Sequence, residues 1–164
     1  MARRLFLDLD GVMADFDGAF TAQFGAHPKT FSDDELWHQV YSNPTFFADL
    51  PLCEGAEGFF QFLRFCKIEP IICTACPRSK YDIVALQKKQ WVRRNLSEGL
   101  LVLPVMGGRN KWLFMQNPGD ILIDDFEKNI IPWRKAGGFG IHHLGDFQQT
   151  MNAVRSVYLP AEAA

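Results

Sequence analysis

At 164 residues, with 48% hydrophobic and 22% charged residues, the chain has the length of one domain and enough apolar side chains for a sizeable core, which excludes a disordered protein. A net charge of -2 provides no basic excess, so no polymeric nucleic acid is expected as a partner, although small anionic substrates remain open. Met1-Ala2-Arg3-Arg4 has the charge of a secretory leader, but Asp8 and Asp10 interrupt the apolar run that follows, and no stretch reaches the length of a membrane span. A cytoplasmic protein without membrane attachment is expected.

In chain order, the first strand is expected over residues 4–9, where the apolar run Leu5-Phe6-Leu7 leads into Asp8-Leu9-Asp10-Gly11-Val12. Residues 15–51 hold Phe16, Phe20, Phe24, Phe31, Trp37, Phe46 and Phe47 but no strand signal, and read as an insertion. Within it Ser32 and Glu35 have capping-box spacing ahead of Leu36 and Trp37, which predicts a small helical lid. Further strands are expected over 69–73, 100–105, 120–123 and 140–144. Helices are expected over 55–67, 78–96, 126–136 and 146–157, the last with Asp146 as N-cap. Strands alternating with helices predict an α/β fold, a Rossmann-like parallel sheet flanked by helices, with a small helical cap inserted after the first strand. The core domain would comprise residues 1–15 and 52–164, and the cap residues 16–51.

Four pieces fall at the carboxyl ends of these strands: Asp8 and Asp10, then Thr74, then Arg109 and Lys111, then Asp124 and Asp125. In a parallel sheet all those ends share one edge, so the pieces converge. Asp8 and Asp10, two apart on an extended chain, point to one face. Paired acids from two strand ends make an oxygen-rich pocket that suits Mg2+ and would repel itself without a cation. Thr74 and backbone amides can donate to a phosphate while Lys111 and Arg109 neutralise its charge, so the pocket suits a phosphoryl group.

These motifs resemble the haloacid dehalogenase superfamily of phosphatases, through DLDGV at Asp8 to Val12, Thr74 after its apolar run, Lys111, and ILIDD at Ile121 to Asp125. Within it the chain is most similar to the 5'(3')-deoxyribonucleotidases, through DLDGVMADF, ICT at Ile72 to Thr74, RNK at Arg109 to Lys111 and DILIDD at Asp120 to Asp125. The resemblance implies a magnesium-dependent phosphomonoesterase, a 5'-nucleotidase-like hydrolase of nucleotide metabolism, acting on 5'- or 3'-phosphates of (deoxy)nucleoside monophosphates. It implies Asp8 as nucleophile and Asp10 as general acid/base, with Thr74 and Lys111 assisting. Magnesium would be held by Asp8, the Asp10 carbonyl oxygen and an acid of the second pair. Adjacent strand residues face opposite ways, so Asp125 is assigned as ligand and Asp124 as its support. Phe16 and Trp37 would lie against the base or sugar, with Thr74, Ala75, Arg109 and Lys111 toward the phosphate. Ala75 stands where the family pattern has serine, removing a phosphate donor whose charged hydrogen bond is worth about 1.5 to 3 kcal/mol. The insertion is also shorter than in the animal enzymes.

Blander readings accompany these. Asp8 and Asp10 could be solvated strand-end acids, Asp124 and Asp125 could cap a helix, Thr74 could sit at a core edge, Lys111 and Arg109 at the surface, and the insertion's aromatics could form only a lid core. The basic stretch 88–94 around Trp91 reads as a solvated helix face, and His142-His143 as structural. Of Cys53, Cys66, Cys73 and Cys76, the formal CxxC at 73–76 lacks a second pair, so reduced, core-filling thiols are expected. Competing functions are a phosphatase of the same chemistry acting on a sugar phosphate or other small ester, and a phosphate-binding regulatory module without turnover. A homodimer is compatible with the sequence.

Overall fold

β1 (Leu5–Leu7) is three apolar residues with no polar side to offer solvent, and it is buried on both faces at the centre of the sheet. The computed structural model describes residues 3–158. Around β1 lie β2 (Ile71–Cys76), β3 (Val102–Met106), β4 (Ile121–Asp124) and β5 (Phe139–His142), all parallel, in the order β3-β2-β1-β4-β5. The α/β architecture expected from the alternation is the one observed. The chain builds outward from β1 to β3, then restarts on the other side at β4. Strand order therefore reverses at β1, and the crevice where parallel sheets bind ligands opens at the carboxyl ends of β1 and β4.

Alternation along the strands divides the core. Leu5, Leu7, Ile72, Ile121, Ile123 and Ile141 join one buried cluster with α3 (Ala56–Phe65), α4 (Tyr81–Asn95) and α6 (Phe147–Tyr158). Phe6, Cys73, Val105 and Leu122 join a second with Ile130 and Trp133 of α5 (Glu127–Lys135). At the opposite sheet edge from the crevice, buried Asp120 accepts hydrogen bonds from the backbone N–H of Arg4, Gln116 and Asn117, fastening the start of β4 to the start of β1.

Between β1 and β2 the chain makes α1 (Phe16–Phe24) and α2 (Asp33–Ser42). Asp15 caps α1 by accepting from the Gly18 N–H, and both halves of the Ser32–Glu35 capping box are formed. Phe20 is fully buried, with Phe24, Phe31 and Phe46 packed round it, so the aromatic richness of this stretch serves its own core. The segment leaves and returns at one place: Asp15 N–H donates to Pro51 O, and Cys53 N–H to Met13 O, both at 2.9 Å.

Several boundaries differ from expectation. β1 stops at Leu7 because the next residues turn sharply, the Leu9 carbonyl accepting from Val12, Met13 and Ala14. β2 starts after Pro70 and runs on to Cys76 paired with Met106, so Thr74 lies within the strand and not beyond it. β4 extends through Asp124. Among the described residues no helix is long and apolar enough to cross a membrane.

Candidate active site

Asp8 follows β1 directly, and its N–H still donates to Ile123 O, so its position is set by the sheet. Its Oδ1 accepts from the Leu9 N–H at 2.8 Å and lies 2.8 Å from Lys111 Nζ, which leaves Oδ2 as its uncommitted oxygen. Lys111 comes from a 3₁₀ helix over Gly108–Phe114 and is completely buried, with its Nζ also 2.5 Å from Asp124 Oδ2. Burial works against the Lys111 charge, but Asp8 and Asp124 outweigh it and raise its pKa above the ordinary lysine value. One cation thus holds two acids from two strand ends.

Asp124 and Asp125 face different ways. Asp124 is fully buried; besides Lys111 it accepts from the Phe126 N–H at 2.8 Å and from Asn129 Nδ2 at 3.1 Å, so both its oxygens are occupied. Burial, then repulsion from Asp8, raises its pKa, and Lys111 opposes that rise. Asp125 has no ion pair among the described residues. Although the residue is exposed toward the crevice, its carboxyl is enclosed enough for desolvation, followed by repulsion from Asp8 and Asp124, to push its pKa up to about 8. Gly11, at φ +76°, lets the loop approach so closely that a β-carbon there would lie 2.1 Å from Asp125 Oδ2. His142 holds the same turn through Nε2, 2.8 Å from Asp125 O.

Asp8, Asp124 and Asp125 each bring a carboxylate oxygen within 4.8 Å of the others. Three hard oxygen donors with one cation among them, and a carboxyl whose charge nothing balances, fit Mg2+.

Asp10 lies opposite. Its pKa is raised, by burial first and also by Asp8, with Lys88 pulling the other way. Lys88 corrects the sequence reading of a solvated face: it is 2% exposed, and its Nζ donates to Asp10 Oδ2 at 2.6 Å, Thr74 Oγ1 at 3.0 Å and Ala75 O at 2.6 Å. The signal was in α4. Val84, Ala85, Lys88, Trp91 and Val92 are its buried positions, so the lysine stands in the middle of an apolar stripe. Trp91 is buried with it, donating from Nε1 to Leu50 O at 2.7 Å.

These groups meet at a cavity of about 550 Å³. Asp8, Asp10, Ala75, Lys88 and Asp125 line its floor, while Phe16, Asp17, Asp33, Leu36, Trp37 and Phe47 come from the segment between β1 and β2. Trp37 stacks on Tyr41 at 5.6 Å and Phe16 on Phe20 at 6.1 Å, so each has one face in the aromatic core. Thr74 is buried beneath, reached through Lys88. Arg109 is not brought in: it is exposed and lies outside the cavity lining. Cys73 and Cys76 are free thiols on opposite faces of β2, and burial pushes Cys73 up to about 12, far from redox or metal chemistry.

No family model matches the chain. A Bordetella bronchiseptica protein named "Putative 5'(3')-deoxyribonucleotidase" is 29% identical over 140 residues, covering 74% of this chain and 73% of the relative. An Acanthamoeba polyphaga mimivirus protein, "Putative 5'(3')-deoxyribonucleotidase R824", is 28% identical over 142 residues, covering 74% of this chain and 62% of its own length. Among solved structures, a haloacid dehalogenase superfamily hydrolase from Ehrlichia chaffeensis superposes at a TM-score of 0.60 and 10% identity, over 96% of this chain and 98% of that one. The fold is that of the haloacid dehalogenase superfamily. A "putative beta-phosphoglucomutase" from Thermotoga maritima gives a TM-score of 0.55 at 15% identity, over 94% and 99% of the two chains. Identities this low speak for the fold alone. In this fold Asp8, Asp10, Thr74, Lys111, Asp124 and Asp125 of the motifs read from sequence are gathered round one crevice, and Lys88 joins them from a helix that carries none of those motifs.

Proposed function

We propose that the protein is a magnesium-dependent phosphomonoesterase that hydrolyses the 5'- or 3'-phosphate of (deoxy)nucleoside monophosphates through an aspartyl-phosphate on Asp8. The observation that carries this is the state of Asp8. One carboxylate oxygen is fixed by the Leu9 N–H and Lys111, the other accepts no hydrogen bond from the described residues, and Asp8 lines a cavity bordered by a second, differently held acid. That is the arrangement of a positioned nucleophile beside an acid/base group.

A carboxylate attacking a phosphate dianion meets repulsion of roughly 4 kcal/mol per unit charge pair at about 4 Å, for an effective dielectric near 20. Lys111 offsets part of it on the attacking side. Asp8, Asp125 and the Asp10 carbonyl oxygen would hold Mg2+, with Asp124 orienting the group; bound there, the ion supplies charge neutralisation of the phosphoryl oxygens. Asp8 Oδ2 forms the new bond to phosphorus as the ester bond breaks, and Asp10 gives its proton to the departing oxygen, releasing the alcohol. Water then attacks the aspartyl-phosphate, Asp10 takes up its proton, and inorganic phosphate leaves with Asp8 regenerated. The raised Asp10 pKa supports its carrying a proton for the first step.

Residues 16–51 act in this reading as a cap on a core of residues 1–15 and 52–164. Its aromatic side chains Phe16, Trp37 and Phe47 at the cavity suit the flat face of a nucleobase, in keeping with the names of the two relatives. Thr74 would face the phosphate, while Ala75 offers it only backbone.

The test is a panel of nucleoside monophosphates and sugar phosphates with and without magnesium, using the native protein and Asp8→Asn. Magnesium-dependent release of phosphate from nucleotides, abolished in the folded variant, is expected. Preference for sugar phosphates would replace the substrate, and undiminished activity of Asp8→Asn would remove the nucleophile.

A further inference from the structure

Lys88 is saturated. A lysine ammonium has three hydrogens and no lone pair, and here they meet three acceptors: Asp10 Oδ2 at 2.6 Å, Thr74 Oγ1 at 3.0 Å and Ala75 O at 2.6 Å. The Phe47 ring packs beside it, with its centroid 4.9 Å from Nζ. A cation caged in this way has no hydrogen left for a substrate phosphate. It also fixes two neighbours. Because Lys88 can only donate, the Thr74 hydroxyl must accept from it, and its own hydrogen is left to donate elsewhere. Because Asp10 Oδ2 is tied to Nζ, proton traffic is confined to Oδ1, which no hydrogen bond from the described residues reaches.

We propose that Lys88 is a positioning residue of the phosphatase, holding Asp10 so that one defined oxygen serves the leaving group and turning the Thr74 hydroxyl into a donor. The inference rests on the phosphatase reading. Its chemical content is narrow: as the bond from phosphorus to the ester oxygen breaks and the bond to Asp8 Oδ2 forms, the proton from Asp10 Oδ1 passes to that ester oxygen. Lys88 gives up no proton. Nothing in the superfamily resemblance points to this residue, since it lies on α4, away from Thr74 and Lys111 in sequence.

The experiment compares leaving groups. p-Nitrophenolate departs without a proton, whereas the alkoxide of a nucleotide or sugar needs one, so in the step that forms the aspartyl-phosphate, which kcat/KM reports, an acid held out of place penalises only the second; the later hydrolysis, with Asp10 as base, is common to both esters and enters kcat alone. The native protein and Lys88→Met are assayed with magnesium on p-nitrophenyl phosphate and on the alkyl phosphomonoester preferred in the panel. The expected result is a fall of about 100-fold in kcat/KM on the alkyl ester, the lower end of what a general acid contributes, with kcat/KM on the aryl ester changing by less than about threefold. Equal losses in kcat/KM on both esters, or no loss on either, overturn the positioning role while leaving the phosphatase reading intact. A native protein inactive on both overturns the phosphatase reading and this inference with it. Should Lys88→Met not fold by circular dichroism, Lys88→Gln, which keeps a donor for Ala75 O without the charge, carries the same comparison.

Discussion

Gly11 and Asp125 occupy each other's space: a β-carbon on Gly11 would stand 2.1 Å from Asp125 Oδ2, at a backbone φ of +76° that side chains rarely adopt. The first loop of the chain and the end of β4 are therefore fitted to one another without slack, and the fit sets where the Asp125 carboxyl can point. Gly11→Ala is expected to lower stability by about 1 kcal/mol or more from the backbone alone. It should also swing Asp125 away and weaken magnesium binding. Thermal melts with and without magnesium check both, and a variant with native melting and native magnesium dependence would count against the fit.

Lys111 is the only cation within reach of Asp8 and Asp124 among the described residues, and it is fully buried. Lys111→Met should leave two buried carboxylates facing each other and destabilise the protein by about 3 to 5 kcal/mol. Adding Asp124→Asn removes one of the stranded charges and should recover part of the loss. Denaturant unfolding of both variants measures the coupling; strict additivity would mean that the ion pair is not what holds this corner of the site.

Magnesium binding should be coupled to a proton. The Asp125 carboxyl is pushed up to about 8, against about 3.9 for an unperturbed aspartate. Between those values the folded, metal-free protein holds a proton that the unfolded chain has released, so this group's contribution to stability falls as pH rises from about 4 to about 8. The cation requires the ionised carboxylate, so its affinity should rise with pH up to about 8, approaching tenfold per unit, and binding at pH 7 should release close to one proton. Calorimetric titration in two buffers of different ionisation heat counts that proton. No release would place the cation away from Asp125.

Trp37 presents one ring face to the aromatic core and lines the cavity. If a base stacks there, Trp37→Ala should forfeit about 0.5 to 1.5 kcal/mol of aromatic contact and raise KM for nucleotides roughly 2- to 12-fold, with kcat less affected. Steady-state kinetics on the preferred nucleotide decides; an effect on kcat alone would assign Trp37 to lid packing.

The legible parts of this protein were those that local chemistry dictates. Leu5 to Leu7 admit no environment but a covered strand, the Ser32–Glu35 spacing is a cap on any helix, and acids after an apolar run have few places to go but a strand end. Thr74 was legible as a residue but not as to position, because β2 gains its last three residues by pairing with β3, a contact distant in sequence. Asp124 and Asp125 diverge as strand alternation requires. Lys88 escaped because helical periodicity marks which face is buried but not that a buried lysine on it can be satisfied by groups from the loop after β1 and from β2. Arg109 drew attention by its nearness to Lys111 in sequence, yet the 3₁₀ turn sends one inward and leaves the other outside.

The entry and exit of the stretch between β1 and β2 are stitched together by the core's own backbone, Asp15 to Pro51 and Met13 to Cys53. Two chain ends fixed that close can be spanned by a very short linker. Whatever lies between them can be lengthened, shortened or exchanged for another segment without altering the path of β1 or the placing of Asp8. In the phosphatase reading, a graft at those two junctions that keeps Phe47 beside Lys88 and Leu50 O on Trp91 should change the clientele while the reaction stays the same.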